Sequence, residues 1–361
     1  MKRIVFAVTN DLNYDQRMIR ICHSLSAAGY YITLVGRKVT NSKPTAEKNF
    51  RQIRLHCFFA HGIFFYAEYN IRLLFFLLFH NSDIIVAIDL DTILPCYVVS
   101  KLKRKKRVYD AHELFCEMKE IVTRPAIYKC WKWIEKNTVP KFSLGYTVNQ
   151  PIADEFNKMY GVHYDVIRNA PLYDPQPIPE KKEKYIIYQG AVNEGRSFET
   201  LIPAMQYVNA RLIICGDGNF MQQAIALAQK YNVADKIEFT GKLLPEQLKV
   251  VTRKSWVGVT LFDAKGKSNY YSLANRFFDY IQAGIPQVCV NYPVYSELNN
   301  KYDIAVEIND LSPETIAKNV NELLVNDELY QKLQTNCLDA RKHLCWEEEE
   351  KKLLNFYHIN F

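Results

Sequence analysis

The chain has nine cysteines and no Cys-x-x-Cys pair, which excludes a zinc ribbon and a dithiol redox motif. Scattered and odd in number, these thiols fit a reducing cytoplasm. Also missing is an apolar run of the roughly 20 residues that span a bilayer. The most apolar stretch, Ile71–Phe79 (IRLLFFLLF), is shorter and is interrupted by Arg72. Burial as a core helix is the expectation for it, with contact at a membrane surface as the competing reading. Ile4-Val5-Phe6-Ala7-Val8 runs at once into Thr9-Asn10-Asp11, so it reads as a first strand and not as a leader. No Gly-x-Gly-x-x-Gly, Gly-x-x-x-x-Gly-Lys or Gly-x-Ser-x-Gly occurs. A dinucleotide fingerprint, a P-loop and a hydrolase elbow are thereby excluded. Charge is not lopsided either. A net +7 is too modest to signal nucleic acid, though it can assist binding of anionic nucleotides or of an acidic leaflet.

What is present describes an ordinary globular chain. Its 361 residues suggest two domains, and 48% hydrophobic with 24% charged residues is typical of a soluble protein. Strand and helix patterns alternate: strands at Arg3–Val8, Tyr31–Val35, Asp83–Ile88, Arg107–Asp110 and Gly145–Val148, with helices near 15–28, 66–80, 91–102 and 125–138. Such alternation with near-continuous apolar strands indicates parallel α/β layers. A proline- and charge-rich break follows, and the alternation restarts with strands at Tyr185–Gln189, Arg211–Cys215, Ile237–Thr240, Val257–Leu261 and Gln287–Val290. The expected division is an N-terminal Rossmann-like domain at 1–168, a linker at 169–184, a second such domain at 185–343 and a C-terminal helix at 344–361. That last helix is expected to pack back on the N-terminal domain, and ligand is expected in a cleft between the domains.

Chemistry-bearing residues gather at strand exits. In Ser272–Pro286 (SLANRFFDYIQAGIP), Ala274, Phe277, Phe278 and Ile281 share one helical face, while Ser272, Asn275, Arg276 and Asp279 share the other. Gly284 and Pro286 end the helix. Free N–H groups at its start and a carboxylate near its middle suit a phosphorylated ribose, although a plain amphipathic core helix has the same period. Tyr109-Asp110-Ala111-His112-Glu113 follows a strand and places an imidazole among carboxylates, suited to orienting a hydroxyl or capping a helix. Gly190 to Arg196 and Cys215-Gly216-Asp217-Gly218 are glycine-punctuated loops where a backbone can approach phosphate. At the first strand's exit, Asp15 reads as an N-cap, and Arg17 in the first turn opposes the helix dipole, which suggests an external partner. Asp89-Leu90-Asp91 has the spacing of a metal-binding pair, but Asp91 reads as an N-cap.

In order and spacing these motifs resemble the family 4 glycosyltransferases (group 1) with the two-Rossmann-domain GT-B architecture, particularly bacterial members that build surface polysaccharide. The resemblance covers nearly the whole chain: Asp15-x-Arg17, Asp110-Ala-His112-Glu113, Val166-Ile-Arg-Asn169, Gly190 to Arg196, Gly216-Asp217-Gly218, Phe239-Thr-Gly241-Lys242 and Asn275-Arg276-x-x-Asp279 through Gly284. It implies a cytoplasmic hexosyltransferase, peripheral on the inner membrane face, that moves a sugar from a nucleotide diphosphate to a glycan or lipid-linked acceptor with retention. No metal and no other cofactor is implied, and nucleic acid is not an implied partner. His112, Arg196 and Asp279 carry the chemistry, Asp279 at the ribose hydroxyls and Arg196 at the diphosphate. Gly190, Gly216, Asp217, Gly241, Lys242, Tyr270, Tyr271, Ser272, Leu273, Asn275 and Arg276 line the donor. Asp15, Arg17, Asp110 and Glu113 lie on the acceptor side. Two positions depart from the family pattern: Tyr271 replaces a Glu eight residues before the ribose acid, and Ala191 replaces a common Arg. A sugar-nucleotide epimerase of the same fold and a non-catalytic partner subunit are the alternatives.

Overall fold

Thirteen strands, paired in parallel throughout, build two sheets in this computed structural model, which describes every residue except 14, 39–41, 43 and 180–182. The tip of the first loop at Tyr14 and the 180–182 charge run of the expected linker lie outside the described residues. The chain forms two compact units, Met1–Asn169 with Glu349–Phe361, and Ala170–Glu348.

The first unit contains β1 (Arg3–Ala7), β2 (Tyr31–Lys38), β3 (Arg51–His56), β4 (Ile84–Ile88), β5 (Lys106–Ala111), β6 (Gly145–Thr147) and β7 (Asp165–Val166). They lie side by side in the order β3-β2-β1-β4-β5-β6-β7. β1 and β4 pair Ile4 with Ile84 through Ala7 with Ala87, and both strands are covered on their two faces, which is why they read as unbroken apolar runs. β3 is an edge strand, half-buried and charged (RQIRLH), so it carries no such run and escapes a pattern search. From Glu349 onward the C-terminal helix packs here, with Tyr357 fully buried among Phe6, Tyr30 and Tyr146.

The second unit contains β8 (Tyr185–Gln189), β9 (Arg211–Cys215), β10 (Ile237–Gly241), β11 (Val257–Thr260), β12 (Gln287–Val290) and β13 (Ala305–Ile308), ordered β10-β9-β8-β11-β12-β13. Each sheet therefore reverses direction beside its own first strand, at β1/β4 and at β8/β11. In doubly wound sheets a ligand crevice opens at the carboxyl ends of the strands flanking that switch point. The expected fold class, two Rossmann-like α/β domains, is what the structure contains.

One expectation fails. The apolar helix runs Gly62–Phe79 and is not a core helix: only Phe65, Tyr69, Leu73 and Leu77, every fourth residue, are buried. Its apolar composition exceeds what one sheet-facing stripe needs. Residues 170–179, within the expected linker, fall in the second unit. There the nearly buried Asp174 carboxylate is held 2.7 Å from Arg253 and 3.2 Å from Lys249, and the Asp174 N–H donates to Gln282.

Candidate functional site

In the second unit the β8 and β9 exits are stitched together. Gly190 N–H donates to the Cys215 carbonyl, Val192 N–H to the Asp217 carbonyl, and Phe220 N–H back to Val192. A Cβ on Gly216 would lie 1.8 Å from the Gly190 carbonyl oxygen, so only glycine permits this approach. Gly190 itself has φ +121°. Beside these loops sits the helix Asn275–Gln282. Tyr280 anchors it, its hydroxyl donating to the Ile187 carbonyl on β8 and its ring filling the space left by Gly258 on β11. Phe277, Phe278 and Ile281 are buried as the period predicts, and Gly284, at φ +62°, follows the helix end.

The helix differs from expectation at its start. It begins at Asn275, with Ala274 as an N-cap that offers no side-chain bond. The Ser272 N–H is spent on the Asn269 carbonyl and the Ala274 N–H on the Tyr295 hydroxyl, so neither is among the free N–H groups expected at the helix start. Arg276, on the polar face of the period, is only 6% exposed. Its guanidinium carbon lies 4.5 Å from the Tyr188 ring and 4.6 Å from the Phe262 ring, and Nη1 donates to the Tyr188 hydroxyl and the Gln189 carbonyl. Nε and Nη2 have no hydrogen-bond partner among the described residues. Arg196 lies on the same Phe262 ring, at 4.4 Å. Two guanidinium groups are thus gathered on one phenyl ring at the β8/β11 switch point, which suits a doubly charged anion. One turn on, the Asp279 carboxylate accepts from Gln189, whose side chain also accepts from Thr252.

The remaining candidates scatter around this centre. Asp217 caps its own loop by accepting from Gly218 N–H. Tyr270 packs on Tyr271 and Tyr292, Leu273 leans on the core, and Asn275 is exposed. Gly241 and the exposed Lys242 leave the sheet at the edge strand β10, two strands out from β8. Sequence reasoning placed Tyr188 and Gln189 at the head of the glycine loop without giving them a role, and it missed Phe262 and Asp263. Phe262 and Asp263 leave β11, and Asp263 accepts from Asn269 and donates its N–H to the Gly195 carbonyl. Strand order was the signal needed, since only it makes β11 the neighbour of β8.

In the first unit, His112 stands at the β5 exit between two carboxylates, Nδ1 3.3 Å from Asp89 and Nε2 3.2 Å from Asp110. The second contact is an ion pair without hydrogen-bond alignment, for both atoms lack an aligned partner. Burial would lower the His112 pKa, but Asp89 and then Asp110 outweigh it and push it up to about 9. Burial raises Asp89 to about 6, with His112 opposing and Asp91 reinforcing the shift. For Asp110 burial acts upward, yet Arg17 and His112 together hold it below its usual value. Asp89 is left-handed at φ 53°, ψ 176°, a conformation costly for a side chain that aims its carboxylate at the imidazole. An imidazolium so clamped is a poor general base and a good fixed positive charge.

Arg17 corrects the expectation of an external partner. It is buried, donating to Asp110 at 2.9 Å and to the Ile167 carbonyl at 3.0 Å. Asp15 is the helix N-cap, accepting from Met18 N–H. Asp91 is not an N-cap; it lies inside the first turn, nearly buried, and accepts from Thr9. Glu113 is half-buried beside His112. Among the described residues, no group of three or more His, Cys, Asp or Glu is placed to hold a metal ion.

Residues 171–338, which include every donor-side candidate, match the family model described as glycosyl transferases group 1. No curated protein sequence matches the chain. Solved structures resemble it along its length. Sucrose-phosphate synthase from Thermosynechococcus elongatus is 15% identical with a TM-score of 0.80, covering 99% of this chain and 98% of that one. WaaG, a glycosyltransferase involved in lipopolysaccharide biosynthesis, is 15% identical with a TM-score of 0.76, covering 97% and 98%. Anabaena HepE in complex with UDP-glucose is 10% identical with a TM-score of 0.75, covering 99% and 100%. At such identities the likeness shows the fold: the chain is built like these proteins, and its second unit carries the group 1 glycosyl transferase pattern.

Proposed function

We propose that the chain is a family 4-like hexosyltransferase that moves a sugar from a nucleotide diphosphate to a glycan or lipid-linked acceptor, with retention, in cell-surface polysaccharide synthesis. The observation that carries this reading is the pairing of Arg196 and Arg276 on the Phe262 ring, beside the helix that bears Asp279. When the bond from the anomeric carbon to the diphosphate oxygen breaks, negative charge grows on the leaving group. Two guanidinium groups and a helix N-terminus lower that barrier without a metal ion. Arg276 also answers the Ala191 departure. Its Nη1 would lie 3.3 Å from a Cβ on Gly190, so a cation reaches the same loop from the helix instead of from position 191. Asp279 holds the ribose diol. Tyr270 and Tyr271 take the sugar-facing place of the absent Glu, and Gly241-Lys242 grips the base. His112, with Arg17, Asp110 and Glu113 around it and Asp15 at the N-cap of the first helix, supplies the fixed charge on the acceptor side. The UDP-glucose held by the HepE structure and the lipopolysaccharide role of WaaG support the donor and the pathway. The enzyme works in the cytoplasm, and nucleic acid is not a partner.

A thermal-shift screen against nucleotide sugars identifies the donor, because a ligand that binds only the folded state raises the melting temperature. With that donor, in EDTA, Arg196→Ala and Arg276→Ala should each lower kcat/KM roughly 10- to 100-fold, as expected for losing a charge-assisted hydrogen bond. Near-normal turnover in both variants sinks the assignment, and loss of wild-type turnover in EDTA sinks its metal-free form.

A further inference from the structure

The helix Gly62–Phe79 is 18 residues long and apolar enough, by length and composition, to cross a membrane. One stripe, Phe65, Tyr69, Leu73 and Leu77, is buried, and the Tyr69 hydroxyl donates to the Val8 carbonyl at 2.5 Å. Crossing a bilayer would pull that stripe out of the fold. The opposite stripe recurs at nearly the same spacing and faces out: Phe64 is 67% exposed, Ile71 56%, Phe75 55% and Phe79 87%. From Phe64 to Phe79 this is about 22 Å of helix at 1.5 Å per residue. A surface this apolar and this long on one element is an interaction site, not incidental exposure.

Its neighbours extend it. Helix Leu90–Leu102 packs alongside and exposes Leu94, Val98 and Leu102. Helix Pro125–Thr138 packs on that one, touches Tyr66 through Trp131, and exposes Ile127 and Trp133. Charge on the three helices is sorted. Glu68 is paired with Arg72, Asp91 is nearly buried, and Glu135 is buried against Lys132. Lys101, Lys129 and Lys136 face outward. Just past Leu102, Lys103 Nζ caps the carbonyls of Leu77, Leu78 and His80, which fixes the basic 101–107 run at the end of the apolar stripe. Acids inward, cations outward, and aromatic and aliphatic side chains between them: this surface complements an anionic lipid leaflet.

We propose that this three-helix face docks flat on an anionic membrane, with Phe64, Ile71, Phe75 and Phe79 entering the headgroup–acyl boundary and the lysines meeting the headgroups. The docking is independent of the sugar-donor reading and needs no sugar lipid. Its test is flotation of the full chain with vesicles of phosphatidylcholine alone and of phosphatidylcholine mixed with phosphatidylglycerol. Binding to the mixed vesicles, weakened by salt, is expected. Ile71→Ser with Phe75→Ser should weaken it roughly tenfold or more, from the lost apolar burial. Lys101→Glu with Lys129→Glu should weaken it by a comparable factor while leaving the apolar stripe intact. Failure to float with the mixed vesicles overturns the proposal, as does flotation unchanged in both double variants. Sedimentation supplies the other arm: a dimer abolished by Ile71→Ser with Phe75→Ser, without lipid binding, would give the face to a second copy and overturn the lipid assignment.

Discussion

His112 is the residue at which local chemistry is most directly readable. Its pKa rises from 6.5 unfolded to about 9 folded, so the folded state binds that proton more tightly. The stability it contributes is therefore complete below about 6.5 and is lost as pH climbs through about 9. Asp89, raised from 3.8 to about 6, also favours its protonated form on folding, so its share is lost between those values as pH rises. Asp110 acts oppositely: its pKa is depressed, and its share disappears on acidification. Of these three groups His112 is the one that titrates between pH 7 and 10, and the buried thiols and phenols that also titrate there are common to wild type and variant. The wild-type melting temperature should fall more steeply over that range than that of His112→Asn, and the imidazole should titrate near pH 9 by NMR. Parallel melting curves, or a midpoint near 6.5, would show that the two carboxylates do not hold the proton.

At the scale of elements, the donor site depends on two loops and a helix meeting closely. Gly216→Ala would push a Cβ into the Gly190 carbonyl, which is backbone and cannot swing aside. A cost of about 1–3 kcal/mol follows from such overpacking, together with weaker donor binding because the Gly190 loop is displaced. Chemical denaturation and calorimetric titration check both, and a variant with unchanged stability would mean that the loops do not meet as closely as described. The same elements show what the sequence made legible. β1, β4, β8 and β12 are covered on both faces and read as apolar runs, and the donor helix announces itself by its period. Arg276 does not, because a period of 3.6 assigns it to the polar side; the aromatic surfaces of Tyr188 and Phe262 and the acceptors at Tyr188 and Gln189, brought in from other strands, make its burial tolerable. Phe262 and Asp263 were invisible for a related reason, since their value depends on strand order. The exposed stripe of Gly62–Phe79 misled, because apolar composition reports the capacity to be buried and not the neighbour that does the burying.

At the scale of the whole molecule, the chain leaves the first unit at Asn169 and returns to it at Glu349, within the helix Trp346–Asn360. The first core is thus completed only by the last residues of the chain. Tyr357 is fully buried, its ring 6.0 Å from Tyr30 and 6.5 Å from both Phe6 and Tyr146, and Phe356 packs edge-on to Tyr146 at 5.2 Å. Tyr357→Ala would leave a cavity in an aromatic cluster, at a cost of about 3–5 kcal/mol. None of those partners belongs to the second unit, whose core is built from its own strands and helices. Calorimetry should therefore show two separable transitions, as chains with two cores do. Tyr357→Ala should lower one of them, and a bound nucleotide sugar should raise the other. If both perturbations move a single transition together, the two cores unfold as one and the division of labour between them is wrong.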